Sequence, residues 1–109
     1  MAGLYFTAVQ GGMDMSERLK LTVLKCCFDE ELKAAYVDDP DYGLCPYFKP
    51  GDVFSTEGER PEGFGCAIGW ESIRREVEGM ASGESPFKVH ILCCNDGIRP
   101  VIFKLEREN

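Results

Sequence analysis

The sequence predicts a small α+β protein: one domain built on an antiparallel sheet of about four strands, with a C-terminal β-hairpin and two short helices. Three observations carry that expectation. Leu19 to Lys25 alternates apolar and polar residues with the two-residue period of a half-buried strand. Trp70, Ile73, Val77 and Met80 recur at helical spacing, with Glu71, Arg74, Arg75, Glu76 and Glu78 on the other side. Asn95-Asp96-Gly97 separates two apolar stretches, Val89 to Cys94 and Val101 to Leu105, as a hairpin turn does. A chain of 109 residues, 44% hydrophobic and 28% charged, suits one core, since smaller pieces would bury too little surface to fold alone.

Taken in order, Leu19, Leu21 and Val23 form the buried face of the first strand, and Lys20 and Thr22 its other face. Asp29 then reads as an N-cap, with Glu30 and Glu31 placed where the helix dipole favours acids, and the helix runs to about Val37. Asp38-Asp39-Pro40-Asp41-Tyr42-Gly43 is a loop. Pro50-Gly51 is a turn leading into a brief second strand whose Val53 and Phe54 begin packing. Glu57 to Gly65 forms a surface loop ahead of the second helix, and the segment from Ala81 to Pro86 ends that helix. If Asp96 and Gly97 alone make the final turn, Cys94 faces Arg99, Leu92 faces Val101 and His90 faces Phe103, with Cys93 on the opposite face. Pro100, which has no N–H to donate, belongs at an edge or bulge beside that turn. Met13 and Met15 precede all of this, so residues 1–15 are expected to be a flexible N-terminal extension and residues 16–109 the folded domain.

Charge and cysteine content narrow the function classes. A formal charge of -7 leaves little positive field for a nucleic-acid backbone or an anionic lipid surface, so neither is an expected partner. The longest apolar runs are far shorter than the roughly 20 residues needed to cross a bilayer. The run Leu4 to Val9 has no basic leader or long apolar centre, which argues against a secretory signal. A cytoplasmic location is expected, where six cysteines stay reduced as thiols or metal ligands rather than forming a disulfide framework.

Two groups of residues could carry chemistry. Cys45, Cys66 and one of the Cys93-Cys94 pair could converge on a zinc or iron ion, with His90 or water completing the ligands. Their spacing is unlike that of paired metal knuckles, however, and free cysteines often behave as small buried hydrophobes. The hairpin turn gathers Cys94, Asp96 and Arg99: a thiol, a carboxylate that can accept a proton, and a guanidinium able to hold a small anionic ligand. Asp-Gly is also plain turn chemistry, and Arg99 could simply pair with a surface acid. His90 is the only histidine, and Phe64 with Trp70 could wall a ligand site or belong to the core. The acidic run Asp38 to Asp41 lacks the alternation and glycine of a calcium loop.

Three stretches carry a resemblance: Cys45-Pro46-Tyr47-Phe48-Lys49-Pro50-Gly51-Asp52-Val53-Phe54, Arg60-Pro61-Glu62-Gly63-Phe64 with Trp70, and Cys93-Cys94-Asn95-Asp96-Gly97-Ile98-Arg99-Pro100-Val101-Ile102-Phe103-Lys104-Leu105-Glu106-Arg107. The chain resembles a family of small conserved bacterial and archaeal proteins of unassigned function, over nearly everything from Leu19 onward. The resemblance implies that Cys45, Cys66, Cys93 and Cys94 recur. Gly65 stands here between Phe64 and Cys66, where the family pattern has cysteine directly after phenylalanine. No reaction, cofactor or substrate follows from it. The readings that result are a cysteine-containing ligand or catalytic pocket at the hairpin turn, drawing on Cys94, Asp96 and Arg99 with Cys45, Phe64, Trp70 and His90 as ligand contacts; a metal or redox module using Cys45, Cys66 and Cys94; and a non-catalytic interaction subunit. A homodimer is expected from exposed sheet edges.

Overall fold

In the computed structural model, which describes residues 17–108, six elements follow one another: β1 (Leu19–Cys26), α1 (Glu30–Tyr36), β2 (Val53–Thr56), α2 (Ala67–Ala81), β3 (Val89–Cys93) and β4 (Val101–Arg107). The expected N-terminal extension, residues 1–15, lies outside the described residues. The strands form one antiparallel sheet in the order β2-β1-β4-β3, with the expected C-terminal hairpin made by β3 and β4.

The two-residue period of β1 does what its sequence requires. Leu19, Leu21 and Val23 are fully buried and meet Val101, Phe103 and Leu105 of β4 and Leu92 of β3. α2 lies across this face with Trp70, Ile73, Val77 and Met80, each buried, directed into the same core. The other face carries the charged pairs Lys20–Glu106 (3.8 Å) and Lys104–Glu106 (3.2 Å). Of the expected β2 packing, only Phe54 and Thr56 turn inward, while Val53 is 55% exposed. The Thr56 hydroxyl donates to the Glu59 carbonyl and accepts the Gly58 N–H at 3.0 Å, so this buried polar group is satisfied.

A bulge changes the face of β1 partway along. Its pairing with β4 passes from Val23↔Phe103 directly to Lys25↔Ile102, leaving Leu24 unpaired. One extra residue inverts every later side chain. Cys26 therefore lies opposite Val101 and packs against the core, whereas simple alternation from Leu19 would turn it outward.

α1 begins at Asp29, whose carboxylate accepts the Leu32 N–H at 2.9 Å, and Glu30 and Glu31 fill its first turn. It buries no residue of its own. Its start is tied to the sheet, with the Cys27 N–H donating to the Pro100 carbonyl at 2.9 Å and the Asp29 N–H to the Ile98 carbonyl at 2.8 Å. Pro100 thus sits just ahead of β4 and offers only its carbonyl.

The hairpin differs from the tight two-residue turn. Leu92 pairs with Phe103 and His90 with Leu105, two positions beyond the expected partners, while Cys94 donates its N–H to the Val101 carbonyl at 3.1 Å. The connection is a six-residue loop, Asn95 to Pro100. Asp96 is the cause: its Oδ1 accepts the N–H of Ile98 at 2.9 Å and of Arg99 at 3.0 Å, withdrawing Arg99 from the ladder. Because the shift is even, the side chains keep their faces.

Candidate functional site

Topology brings the cysteine loops to one end of the sheet. β2 and β4 both run antiparallel to β1: Val101, the first residue of β4, pairs with Cys26 at the C-terminal end of β1, and the turn just before β2 bonds Val23 in the C-terminal half of that strand. The loops preceding β2 and β4 therefore arrive together. α2 finishes at the opposite end, where the Glu17 N–H donates to the Ala81 carbonyl at 3.0 Å, so its N-terminus points back toward those loops.

Each loop is fixed by turn chemistry. Lys49-Pro50-Gly51-Asp52 closes with the Asp52 N–H on the Lys49 carbonyl (3.0 Å), and Gly51 supplies the positive φ of 96° that follows proline in such a turn. The Gly51 N–H donates to the Val23 carbonyl and the Val23 N–H to the Asp52 carbonyl, both at 2.8 Å, locking this turn to the β1 bulge. Phe48 is thereby held in the core. Pro61-Glu62-Gly63-Phe64 is a second turn, with the Phe64 N–H on the Pro61 carbonyl at 3.1 Å and Gly63 at φ 88°. It drops Phe64 among Phe48, Phe54, Trp70 and Phe103, with ring centroids 4.8 to 5.8 Å apart. Arg60 donates from Nε to the Phe64 carbonyl at 2.9 Å.

Above this aromatic floor lies a cleft of about 570 Å³, within the range of small-molecule sites. Cys45, Cys66 and Cys94 line it together with Arg60, Arg99 and Asp96. Tyr47, 55% exposed, and Phe48 add aromatic surface. Cys66 is the N-cap of α2, its sulfur accepting the Gly69 N–H at 3.2 Å, and no acid occupies that helix's first turn. Gly69 lets the sulfur approach, since a Cβ there would stand 3.3 Å from Sγ. The Cys94 sulfur accepts the Val101 N–H at 3.3 Å. The first-turn residues Ala67, Ile68 and Gly69 face the same space.

Arg99 is aimed by two contacts. Its guanidinium carbon lies 4.2 Å from the centre of the Tyr42 ring, and its Nε is 3.4 Å from Asp96 Oδ2. The acidic loop thus contributes Tyr42 to the site rather than a cation ligand set. Burial pushes the Asp96 carboxyl up, but the N–H groups of Arg99 and Ile98 and the Arg99 guanidinium outweigh it, leaving its pKa below the ordinary value. The carboxylate is ionised and occupied by its own loop.

The residues singled out in the sequence divide between three places. Cys45, Cys66, Cys94, Asp96 and Arg99 meet at the cleft. Phe64 and Trp70 lie beneath it in the core, 1% and 5% exposed. His90 is elsewhere, on β3 against the Phe87 ring (4.6 Å between centroids), in a depression shared with Arg75 and Glu76 of α2. Cys93 is exposed on the other side of the sheet. Among the described residues no three His, Cys, Asp or Glu side chains are grouped so as to hold a metal ion. Arg60, Tyr47 and the first turn of α2 complete the cleft without having been singled out for it. Cys26 adjoins it: its thiol reaches toward the Phe48 carbonyl at 3.5 Å, and burial, followed by the neighbouring Cys45 and Asp52, pushes its pKa up.

No protein-family model, curated protein or solved structure matches the chain. None of the helices described is long and apolar enough to cross a membrane.

Proposed function

We propose that the cleft binds a small organic anion and presents the Cys94 thiol to it, with Arg99 and Arg60 as the anion clamp and Asp96 as the residue that holds the loop in place. The observation that carries this reading is the convergence of Cys45, Cys66 and Cys94 with two guanidiniums on one cleft, in a chain whose net charge is -7. Guanidiniums recognise carboxylate or phosphate through paired N–H donors, and a thiol beside them is a soft nucleophile for an electrophilic carbon of the same ligand. The two backbone N–H groups on Asp96 and the ring of Tyr42 fix Arg99 before any ligand arrives, which lowers the ordering cost of binding.

We further propose kinship with the family the sequence resembles; on that reading, three of the four cysteines in its pattern line this one cleft. All six cysteines are free thiols, which supports a reducing, cytoplasmic setting. The protein is further proposed to act as a homodimer.

Paired alkylation tests the cleft. Iodoacetate and iodoacetamide deliver similar electrophiles, one anionic and one neutral. At Cys94 the ratio of iodoacetate to iodoacetamide rates should exceed that of the same chain unfolded in urea by roughly fivefold, the effect of about 1 kcal/mol of Coulomb attraction. Replacing both Arg60 and Arg99 with Gln should return the ratio to the unfolded value. A folded wild-type ratio equal to the unfolded one overturns the anion reading.

A further inference from the structure

We infer that β3 is the self-association edge: two copies pair antiparallel through this strand, with Ile91 opposite Ile91 of the second copy and Val89 opposite Cys93, joining two four-stranded sheets into one of eight. This rests on the proposed homodimer and names its surface.

The argument begins with the ladder. The Cys94 N–H bonds β4, and donor direction alternates along a strand, so the even residues of β3 face β4 while Val89, Ile91 and Cys93 point their N–H and C=O groups off the sheet. Among the described residues those groups meet no strand, because β3 ends the order β2-β1-β4-β3. The same three residues carry exposed apolar side chains, Val89 at 48% and Ile91 at 53%, with Cys93 also exposed. Free backbone groups and apolar surface thus coincide on one edge.

Natural edges are usually blunted by proline, a bulge or an outward charge. From Val89 to Cys93 there is no proline, no register shift and no charged residue on the outer face. A two-fold axis at Ile91 places all three outward residues in hydrogen-bonded pairs, so every free donor of the strand meets an acceptor. Charge selects this edge over the other. β2 lies between Asp52 and Glu57, so pairing it with its own copy sets acid against acid. β3 is preceded by Lys88 and followed by the loop bearing Asn95 and Asp96. In an antiparallel copy centred on Ile91, Lys88 lies opposite Cys94 and Asn95 opposite Phe87, so no like charges are set against each other along the new ladder.

The test is analytical ultracentrifugation of the full chain as wild type, Ile91→Lys and Val53→Lys, with hydrogen exchange of the wild type at high and low concentration. A dimeric wild type, a dimer weakened roughly tenfold or more by Ile91→Lys, and no effect of Val53→Lys are the results expected when two lysines oppose each other at the axis. The Val89, Ile91 and Cys93 amides should exchange slowly in the dimer and quickly on dilution. A dimer indifferent to Ile91→Lys overturns the edge assignment and leaves the homodimer standing. A wild type monomeric at every concentration overturns both. Slow exchange of these amides in a monomer shows that residues 1–16 or another part of the chain covers the edge, which also overturns the inference.

Discussion

Asp96 is the residue at which the loop and its chemistry can be separated. Its Oδ1 holds two backbone N–H groups at 2.9 and 3.0 Å, and the third contact, from Arg99 Nε at 3.4 Å, is long enough to add little. A net hydrogen bond is worth about 1 kcal/mol, and the side chain is 37% exposed, which discounts any added charge effect. Asp96→Ala should therefore cost about 1–2 kcal/mol. Asp96→Asn keeps an oxygen for both N–H groups and should cost less than about 1 kcal/mol. The two variants also respond differently to acid. The folded-state carboxyl pKa lies below its ordinary value of 3.8, so the charge-dependent part of its contribution is complete above that value. That part is lost as pH falls through the folded-state pKa. The gap between wild type and Asp96→Asn should then be present at neutral pH and shrink below pH 3.8, while other protonations cancel in the difference. Urea unfolding of the three proteins across this range measures it. An Asp96→Ala protein as stable as wild type, or a wild-type advantage over Asn that is undiminished in acid, refutes the assignment of Asp96 to the loop.

Phe64→Ala should destabilise the fold by about 3–5 kcal/mol, because Phe64 is 1% exposed at the centre of the aromatic floor; thermal unfolding checks it. Gly63→Ala should cost about 1–2 kcal/mol through its φ of 88° alone, since the nearest atom to a new Cβ, on Phe54, is 4.0 Å away; a loss below a few tenths, read by urea unfolding, would contradict the turn geometry. Cys26, its pKa raised by burial, should need more alkaline conditions for alkylation in the folded protein than in urea. Because that shift is upward, the stability it represents is full below the unfolded thiol pKa and lost as pH rises through the folded one. Cys26→Ala should therefore flatten the alkaline decline in stability, measured by unfolding across that range.

The parts of the fold visible in the sequence are those where a local period states the answer. Leu19, Leu21 and Val23 declare a strand face, Trp70 to Met80 a helix face, and Asp29 a cap, and each stands where its pattern places it. The parts hidden are those decided by competition between groups distant in pattern. Nothing in Val23-Leu24-Lys25-Cys26 signals an extra residue, because the shift arises in the pairing with β4, beside a Val23 bonded on its other edge by the distant Lys49–Asp52 turn. Asp96-Gly97 signals a turn of two residues, whereas the loop is six residues long, with the Ile98 and Arg99 N–H groups captured by the Asp96 carboxylate and the Ile98 and Pro100 carbonyls by the start of α1. Phe48 stands in a loop between prolines, where no periodicity marks a core residue, yet it is 5% exposed.

The candidate site was legible as residue types and illegible as a place. Cys45, Cys66, Cys94, Asp96 and Arg99 could be selected because thiols, a carboxylate and a guanidinium are the groups from which chemistry is built. Their meeting depends on strand order, which no motif contains. With β1 central, the loops before β2 and β4 must share the end of the sheet at which β1 finishes, and a helix that ends beside Glu17 must begin there as well. Had β4 been placed beside β2 instead, the same cysteines would line no common cleft. His90 illustrates the converse. Its residue type promised chemistry, but its position in β3 fixes it beside Phe87 and α2, so the cleft has no histidine and any proton transfer there falls to the thiols, the Asp96 carboxylate and the bound ligand.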